Sequence, residues 1–122
     1  MGREADSGVA LGEFLAAYSA SIVILSGEAK GIEFALDQVR VTLGRGPGVD
    51  LCLDDPEMSR EHASIEFAGG RFVICSLGEE RALLVNGGET RRAELKSEDR
   101  FRVGGHSFQF LVEERRHLPP LR

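Results

Sequence analysis

Two arginines and a serine stand in two short motifs whose side chains could together bind an anion. Gly44-Arg45 is followed, fourteen residues after the arginine, by Ser59-Arg60-Glu61-His62. An arginine side chain is a planar, permanently charged fork that donates paired hydrogen bonds to phosphate oxygens, and a serine hydroxyl can donate one more. These residue types predict a site for a doubly charged phosphate, which requires the two motifs to lie on neighbouring loops of one small domain.

The two motifs, together with Val85-Asn86-Gly87, resemble the signature of forkhead-associated (FHA) domains. The resemblance covers roughly residues 21 to 114. FHA domains are β-sandwiches that bind phosphothreonine peptides, so the resemblance implies both that fold and that ligand.

The resemblance also implies a role for each matched residue. Arg45 and the hydroxyl of Ser59 would contact the phosphate, and Arg60 would lie beside them. The buried imidazole of His62 would brace the loop. The residues that would support the site structurally are Gly44, His62, Asn86 and Gly87.

One stretch departs from the family pattern. Counting back from Asn86, the usual Ser-x-Asn-Gly-Thr stretch falls on Glu79-Glu80-Arg81-Ala82-Leu83, so Arg81 replaces the asparagine that would bond the backbone of the ligand. If Arg81 faces the pocket, it is a further ligand-binding residue and a third cation. If it pairs with Glu79 or Glu80, it offsets the repulsion of about 2 kcal/mol that each carboxylate would exert on a phosphate charge about 7 Å away.

The first twenty residues show the spacing of a helix. Leu11, Phe14, Leu15 and Tyr18 recur at i, i+3, i+4 and i+7, which lines one side of a helix with apolar groups. Residues 1–20 are therefore predicted to be a leader that is either a short amphipathic helix or disordered. Such a helix could dock on the domain, or it could contact a partner or a second copy, so the oligomeric state stays open.

From residue 21 onward the apolar residues alternate with a period of two, which indicates β-strands. Gly69-Gly70 predicts the clearest hairpin, and Asn86-Gly87-Gly88 predicts a further turn. The predicted strands are 22–25, 32–36, 39–43, 51–53, 63–67, 71–75, 82–85, 101–103 and 107–112. The spacing indicates an all-β sandwich or barrel over residues 21–114, and the FHA resemblance implies the first of these, an antiparallel β-sandwich of about ten to eleven short strands. A disordered tail is predicted at 115–122.

Composition limits the class of protein. A chain of 122 residues, of which 42% are hydrophobic, can form one domain with one core. The net charge of -5 argues against nucleic acid or an acidic membrane as a partner, so any anion site must be local. No apolar run is long enough to span a bilayer, so we expect a cytoplasmic protein, and the excess of Arg over Lys hints at a bacterial source.

Other reactive residues give no sign of a metal or a cofactor. Cys52 and Cys75 lie in apolar runs, which predicts two buried free thiols without a disulfide. There is no CxxC pair, and the histidines are scattered, so zinc is not expected. Asp54, Asp55 and Glu57 lack the spacing of a calcium loop and are interpreted as a solvated turn.

Three functions are compatible with these observations. The preferred one is a non-enzymatic module that binds a phosphothreonine segment of a partner protein, downstream of a Ser/Thr kinase. The alternative is a degenerate FHA-like scaffold that mediates phospho-independent assembly through its sheet face or its N-terminal helix. A small hydrolase would need Ser59 and His62 within hydrogen-bond reach and a third group to orient the imidazole.

Overall fold

The computed structural model describes residues 3–78 and 83–115. Over these residues the chain forms one helix, α1, and eleven strands. Their bounds are α1 Arg3–Ala17, β1 Tyr18–Ile24, β2 Glu33–Ala35, β3 Arg40–Gly44, β4 Leu51–Cys52, β5 Ala63–Ala68, β6 Arg71–Ser76, β7 Leu83–Val85, β8 Gly88–Thr90, β9 Arg92–Leu95, β10 Arg100–Val103 and β11 His106–Glu114.

The strands form two sheets that face each other. One sheet has six strands in the order β2-β1-β11-β10-β7-β8, and the other has five in the order β4-β3-β5-β6-β9. Among the described residues the paired strands are antiparallel except β3 and β4, which run parallel, with Leu43 opposite Leu51. The predicted all-β sandwich of ten to eleven strands is confirmed, and the parallel pair is the one departure from its antiparallel order.

Tight turns join the hairpins where the sequence predicted them. Gly69 and Gly70, with φ of 61° and 79°, connect β5 to β6. Asn86 and Gly87, with φ of 50° and 84°, connect β7 to β8. Both pairs adopt left-handed backbone angles, which two-residue hairpin turns of this hand require and which Gly and Asn tolerate best.

The core lies between the two sheets, because alternate residues of each strand point inward. The inward residues of β10 and β11 include three phenylalanines, and Phe101 stacks on Phe108 with ring centroids 5.1 Å apart. Both rings are at most 2% exposed. The opposing sheet contributes Val41, Ile65 and Ile74, which are at most 1% exposed.

The N-terminal helix packs on this core at the end of the sandwich where β5 turns into β6. Leu11 is 5% exposed, and the ring of Phe14 lies 5.4 Å from those of both Phe67 and Phe72. Phe14 also stacks on Tyr18 at 5.2 Å. The apolar side of the helix therefore packs against its own domain. This is the arrangement in which the predicted leader forms a helix docked on the domain.

Arg115 fastens the end of this helix. Its backbone N–H donates to the carbonyl of Ala17 at 2.9 Å. Its Nε donates to the carbonyls of Leu15, at 2.5 Å, and Tyr18, at 3.1 Å. Helix C-termini leave carbonyls without intrahelical partners, and a cation close to them also complements the helix dipole.

Several details differ from the sequence-based expectations. β1 begins at Tyr18, which is 41% exposed and belongs to the strand instead of extending the helical stripe. The short strands β8 and β9 were not predicted separately. Cys52 and Cys75 are free, but the prediction that both are buried is wrong, because Cys52 is exposed and Cys75 is half-buried. Residues 116–122 of the predicted tail lie outside the described residues.

The helix has 15 residues, and no helix in the described part of the chain is long and apolar enough to cross a bilayer.

The packing of the helix can be tested with two substitutions in it. Phe14→Ala should lower the free energy of unfolding by about 2 kcal/mol, because it removes a half-buried ring from an aromatic cluster. Val9 is 65% exposed, so Val9→Ala is the matched control. The control should change stability by less than about 0.5 kcal/mol. Chemical denaturation of both variants checks this, and equal small effects would show that the helix does not pack as described.

Candidate functional site

The first candidate loop leaves β3 at Gly44 and turns back beside the same strand. Asp50 closes it, because its Oδ2 accepts hydrogen bonds from the N–H of Thr42 at 2.8 Å and from the Thr42 hydroxyl at 3.0 Å. The N–H of Asp50 in turn donates to the Thr42 hydroxyl oxygen at 3.0 Å. This closure places Arg45 at the tip of the sandwich and leads into the parallel strand β4.

Backbone hydrogen bonds join this loop to the second motif. The N–H of Arg45 donates to the carbonyl of Ser59, and the N–H of Gly46 donates to the carbonyl of Arg60, each at 2.9 Å. Below them the N–H of His62 donates to the carbonyl of Leu43 at 2.9 Å. The two motifs therefore lie on neighbouring loops at one end of the sandwich.

Gly44 makes this approach possible. A Cβ at this position would stand 2.1 Å from the carbonyl oxygen of Arg60, far inside van der Waals contact. The reason for glycine here is the close passage of two backbones, and its φ is not in the left-handed range.

Three side chains at this end of the sandwich, those of Arg45, Ser59 and Arg60, could bind an anion, and each has donors available for a ligand. The Nε of Arg45 donates to the carbonyl of Met58 at 3.1 Å, which fixes the plane of the guanidinium. Within the described residues its terminal nitrogens have no partner, and neither do the hydroxyl of Ser59 and the guanidinium of Arg60. Arg45 and Arg60 are exposed and Ser59 is half-buried, so a ligand can reach all three.

His62 lies beneath these residues and is 2% exposed. Its Nδ1 accepts a hydrogen bond from the backbone N–H of Ser59 at 3.0 Å. Because a backbone N–H can only donate, Nδ1 carries no proton and the ring is neutral. The imidazole thus holds the backbone of Ser59, and the nitrogen nearest the serine is not available as a base for its hydroxyl.

Asp55 is the element of the site that the sequence interpretation missed. The carboxylate is 4% exposed, so the expectation of a solvated turn is wrong for this residue. Its Oδ2 accepts from the N–H of Gly105 at 2.8 Å and from Nδ1 of His106 at 2.7 Å. Its Oδ1 accepts from the N–H of Glu57 at 2.8 Å.

Two opposing effects act on the pKa of Asp55. Burial by itself raises the pKa, because it penalises the charged form. The hydrogen bonds from His106 and from the N–H groups of Glu57 and Gly105 favour the charged form and together outweigh burial, so the pKa lies below its ordinary value of 3.8. The carboxylate is therefore ionised at neutral pH and draws these donors around it.

The remaining predicted residues lie elsewhere or outside the described part of the chain. Asn86 bonds to the neighbouring turn, accepting from the N–H of Arg100 and donating to Asp99, each at 3.0 Å. With Gly87 it supports the fold at the far end of β10, away from the loops that carry Arg45. Arg81 falls outside the described residues, as do Glu79 and Glu80.

A metal ion has no obvious ligand set at this site. Across residues 3–78 and 83–115 no three His, Cys, Asp or Glu side chains group closely enough to hold one.

The sequence of the chain is similar to those of several known bacterial proteins. A family model for the cytoplasmic domain of an inner membrane component of T3SS (Yop-YscD) matches residues 23–114. The glycogen accumulation regulator GarA of Mycolicibacterium smegmatis is 36% identical over 100 residues, which are 82% of this chain. Those residues make up 63% of that regulator, so the chain spans less than two thirds of its relative.

Solved structures show the same fold. Mycobacterium tuberculosis EmbR in complex with a low-affinity phosphopeptide superposes with a TM-score of 0.71 at 26% identity, over 81% of this chain and 26% of that one. The FHA domain of the CT664 protein from Chlamydia trachomatis superposes with a TM-score of 0.69 at 25% identity, over 76% of this chain and 96% of that one.

The close approach at Gly44 predicts a large effect of one methyl group. Gly44→Ala should lower the free energy of unfolding by about 2 kcal/mol or more, because a backbone segment has to move. A Cβ at Gly48, in the same loop, would meet nothing within 4 Å. Gly48→Ala is therefore the control and should leave stability unchanged within about 0.5 kcal/mol. Thermal or urea unfolding separates the two, and equal stability would contradict the loop contact.

The lowered pKa of Asp55 predicts a pH dependence of stability. Because folding lowers the pKa, the ionised carboxylate stabilises the fold above pH 3.8, and this contribution is lost as pH falls below that value. Asp55→Asn should be less stable at neutral pH and should lose less stability than the wild type on acidification. Asp54→Asn, which changes the exposed neighbour, should follow the wild-type slope. Urea denaturation at several pH values measures the slopes, and parallel curves for wild type and Asp55→Asn would contradict the assignment.

Proposed function

The chain belongs to the forkhead-associated (FHA) family, and on that premise we propose that it binds phosphothreonine segments of partner proteins in Ser/Thr-kinase signalling. One observation carries the proposal. The backbones of Arg45 and Ser59 are joined by a 2.9 Å hydrogen bond, while the guanidinium and the hydroxyl keep donors for a ligand.

The chemistry of the donors suits a phosphate dianion. Arg45 and Arg60 supply permanent positive charge, and the hydroxyl of Ser59 supplies a neutral donor. A hydrogen bond that involves a charged group contributes about 1.5 to 3 kcal/mol, so two or three of them can anchor a short peptide. Since the whole chain carries a charge of -5, this attraction depends on the local cations and not on the overall charge.

The comparisons support the same class of ligand and a regulatory role. EmbR has been solved with a phosphopeptide, and the relative from Mycolicibacterium smegmatis is named a regulator. We take this chain to act likewise as a non-catalytic module, in the cytoplasm, on a protein that a Ser/Thr kinase has phosphorylated. The hydrogen bond between the imidazole of His62 and the backbone of Ser59 gives a hydrolase no support.

The scaffold alternative has less to recommend it. It would use either a sheet face or the apolar side of the N-terminal helix for assembly, and the second of these surfaces is already occupied, because Leu11 and Phe14 pack on the core of their own domain. Arg81 is a further proposed contact for the ligand, to be tested beside Arg45.

Arg45 should contribute strongly to the binding of phosphopeptides. A degenerate phosphothreonine peptide library should bind the wild-type protein, and the same library without phosphate should not. Arg45→Ala should weaken the selected peptides by about thirtyfold, the equivalent of one charge-assisted hydrogen bond. Calorimetric titration measures the change.

Arg71→Ala is the matched control, because Arg71 is exposed at the start of β6, at the opposite end of the sandwich, and pairs there with Glu94. Its affinity should equal that of the wild type. Equal binding of the two libraries, or an unchanged affinity in Arg45→Ala, would rule the proposal out.

A further inference from the structure

We propose that Asp55 and His106 are positioning residues for the phosphate site. Together they fix the loop that contains Met58, and the carbonyl of Met58 orients Arg45. Neither residue would contact the ligand. The inference deepens the proposed function and rests on it for one of its two readouts.

The pair connects the two sheets. Asp55 lies in the loop between β4 and β5, and His106 opens β11 in the opposing sheet. Their contact, at 2.7 Å, bridges residues that are 51 positions apart in the chain. The N–H of Gly105 adds a second bond to the same carboxylate oxygen at 2.8 Å. The loop is thus held against the β10–β11 turn by a charged, buried group.

Asp55 also sets the conformation of its own loop. Its carboxylate accepts from the N–H of Glu57 at 2.8 Å, and its carbonyl accepts from the N–H of Met58 at 3.0 Å. Met58 is 1% exposed, so its position is closely confined. A Cβ at Gly104 would stand 3.1 Å from the Cα of Met58, which shows how tightly the β10–β11 turn packs on this residue.

Met58 links this loop directly to the candidate phosphate site. Its carbonyl accepts the Nε–H of Arg45 at 3.1 Å, and the next residue in the chain is Ser59. A shift of the loop would therefore turn the guanidinium and displace the hydroxyl at the same time. Bidentate recognition of phosphate depends on the plane of the guanidinium, so affinity should respond to such a shift.

The donor on His106 is the part of this arrangement that can be changed selectively. An ionised carboxylate can only accept, so Nδ1 of His106 carries the proton in this contact. The side chain is 17% exposed, so it is mostly enclosed and a substitute must fit the same space. Asparagine places its amide nitrogen close to the position of Nδ1, whereas leucine has a similar volume without a donor.

The test compares His106→Leu with His106→Asn. We expect His106→Leu to weaken the phosphothreonine peptide selected from the library by at least about tenfold, and His106→Asn to bind within about threefold of wild type. The second readout needs no peptide. The NMR signal of the Arg45 Nε–H reports its hydrogen bond to Met58, and it should shift and exchange faster with water in His106→Leu but not in His106→Asn.

The outcomes separate the two proposals. An unchanged Arg45 signal in folded His106→Leu, or equal losses in both variants, overturns the positioning role. If the wild-type protein binds no phosphothreonine peptide, the proposed function fails, and the Arg45 signal still decides the positioning role. If His106→Leu does not fold, Asp55→Asn is measured in the same way, and an unchanged Arg45 signal there overturns the inference.

Discussion

The structure depends on the contact between two backbone segments at the tip of the sandwich. Gly44 passes so close to Arg60 that a side chain on it would stand 2.1 Å from a carbonyl oxygen. Hydrogen bonds from Arg45 and Gly46 to the facing carbonyls follow from that approach. Loops that present ligand groups are usually the mobile parts of a fold, but here backbone bonds make two of them a single unit. Because these backbone bonds already join the two loops, the exposed side chains above them keep donors for a ligand.

Charged side chains lie at two depths around this contact, some exposed and one buried. The exposed layer holds arginines whose terminal nitrogens are available to an anion, and the buried layer holds the carboxylate of Asp55. A buried carboxylate near a phosphate site would normally repel the ligand. Here two backbone N–H groups and an imidazole N–H donate hydrogen bonds that stabilise the negative charge, and the carboxylate in turn holds the loop backbone in place. Neutral His62 fills the space beneath Ser59 without adding a second buried charge.

The sequence predicted those features that depend on neighbours in the chain. Gly69-Gly70 and Asn86-Gly87 form the expected turns, because the backbone angles of a turn are a local property. Strand β8 was missed because Gly88-Glu89-Thr90 is polar and mostly exposed. Strand β9 was missed because its alternation of polar and apolar residues covers only the four residues Arg92–Leu95. The role of Asp55 could not be read from the sequence, since its partner His106 is 51 residues away. Its place beside the acidic residues Asp54 and Glu57 suggested only a solvated turn, and burial distinguishes it from Asp54.

The two ends of the sandwich have different tasks. At the end where β5 turns into β6, the helix covers Phe67 and Phe72, and Arg115 ties its last carbonyls to the opposite terminus of the described chain. An apolar surface that would otherwise face solvent is thereby buried within one molecule. The other end carries exposed cations, glycines and a half-buried serine, which are groups that bind small anions and not apolar surfaces. The proposed phosphate site therefore lies at the end of the sandwich that the helix leaves open.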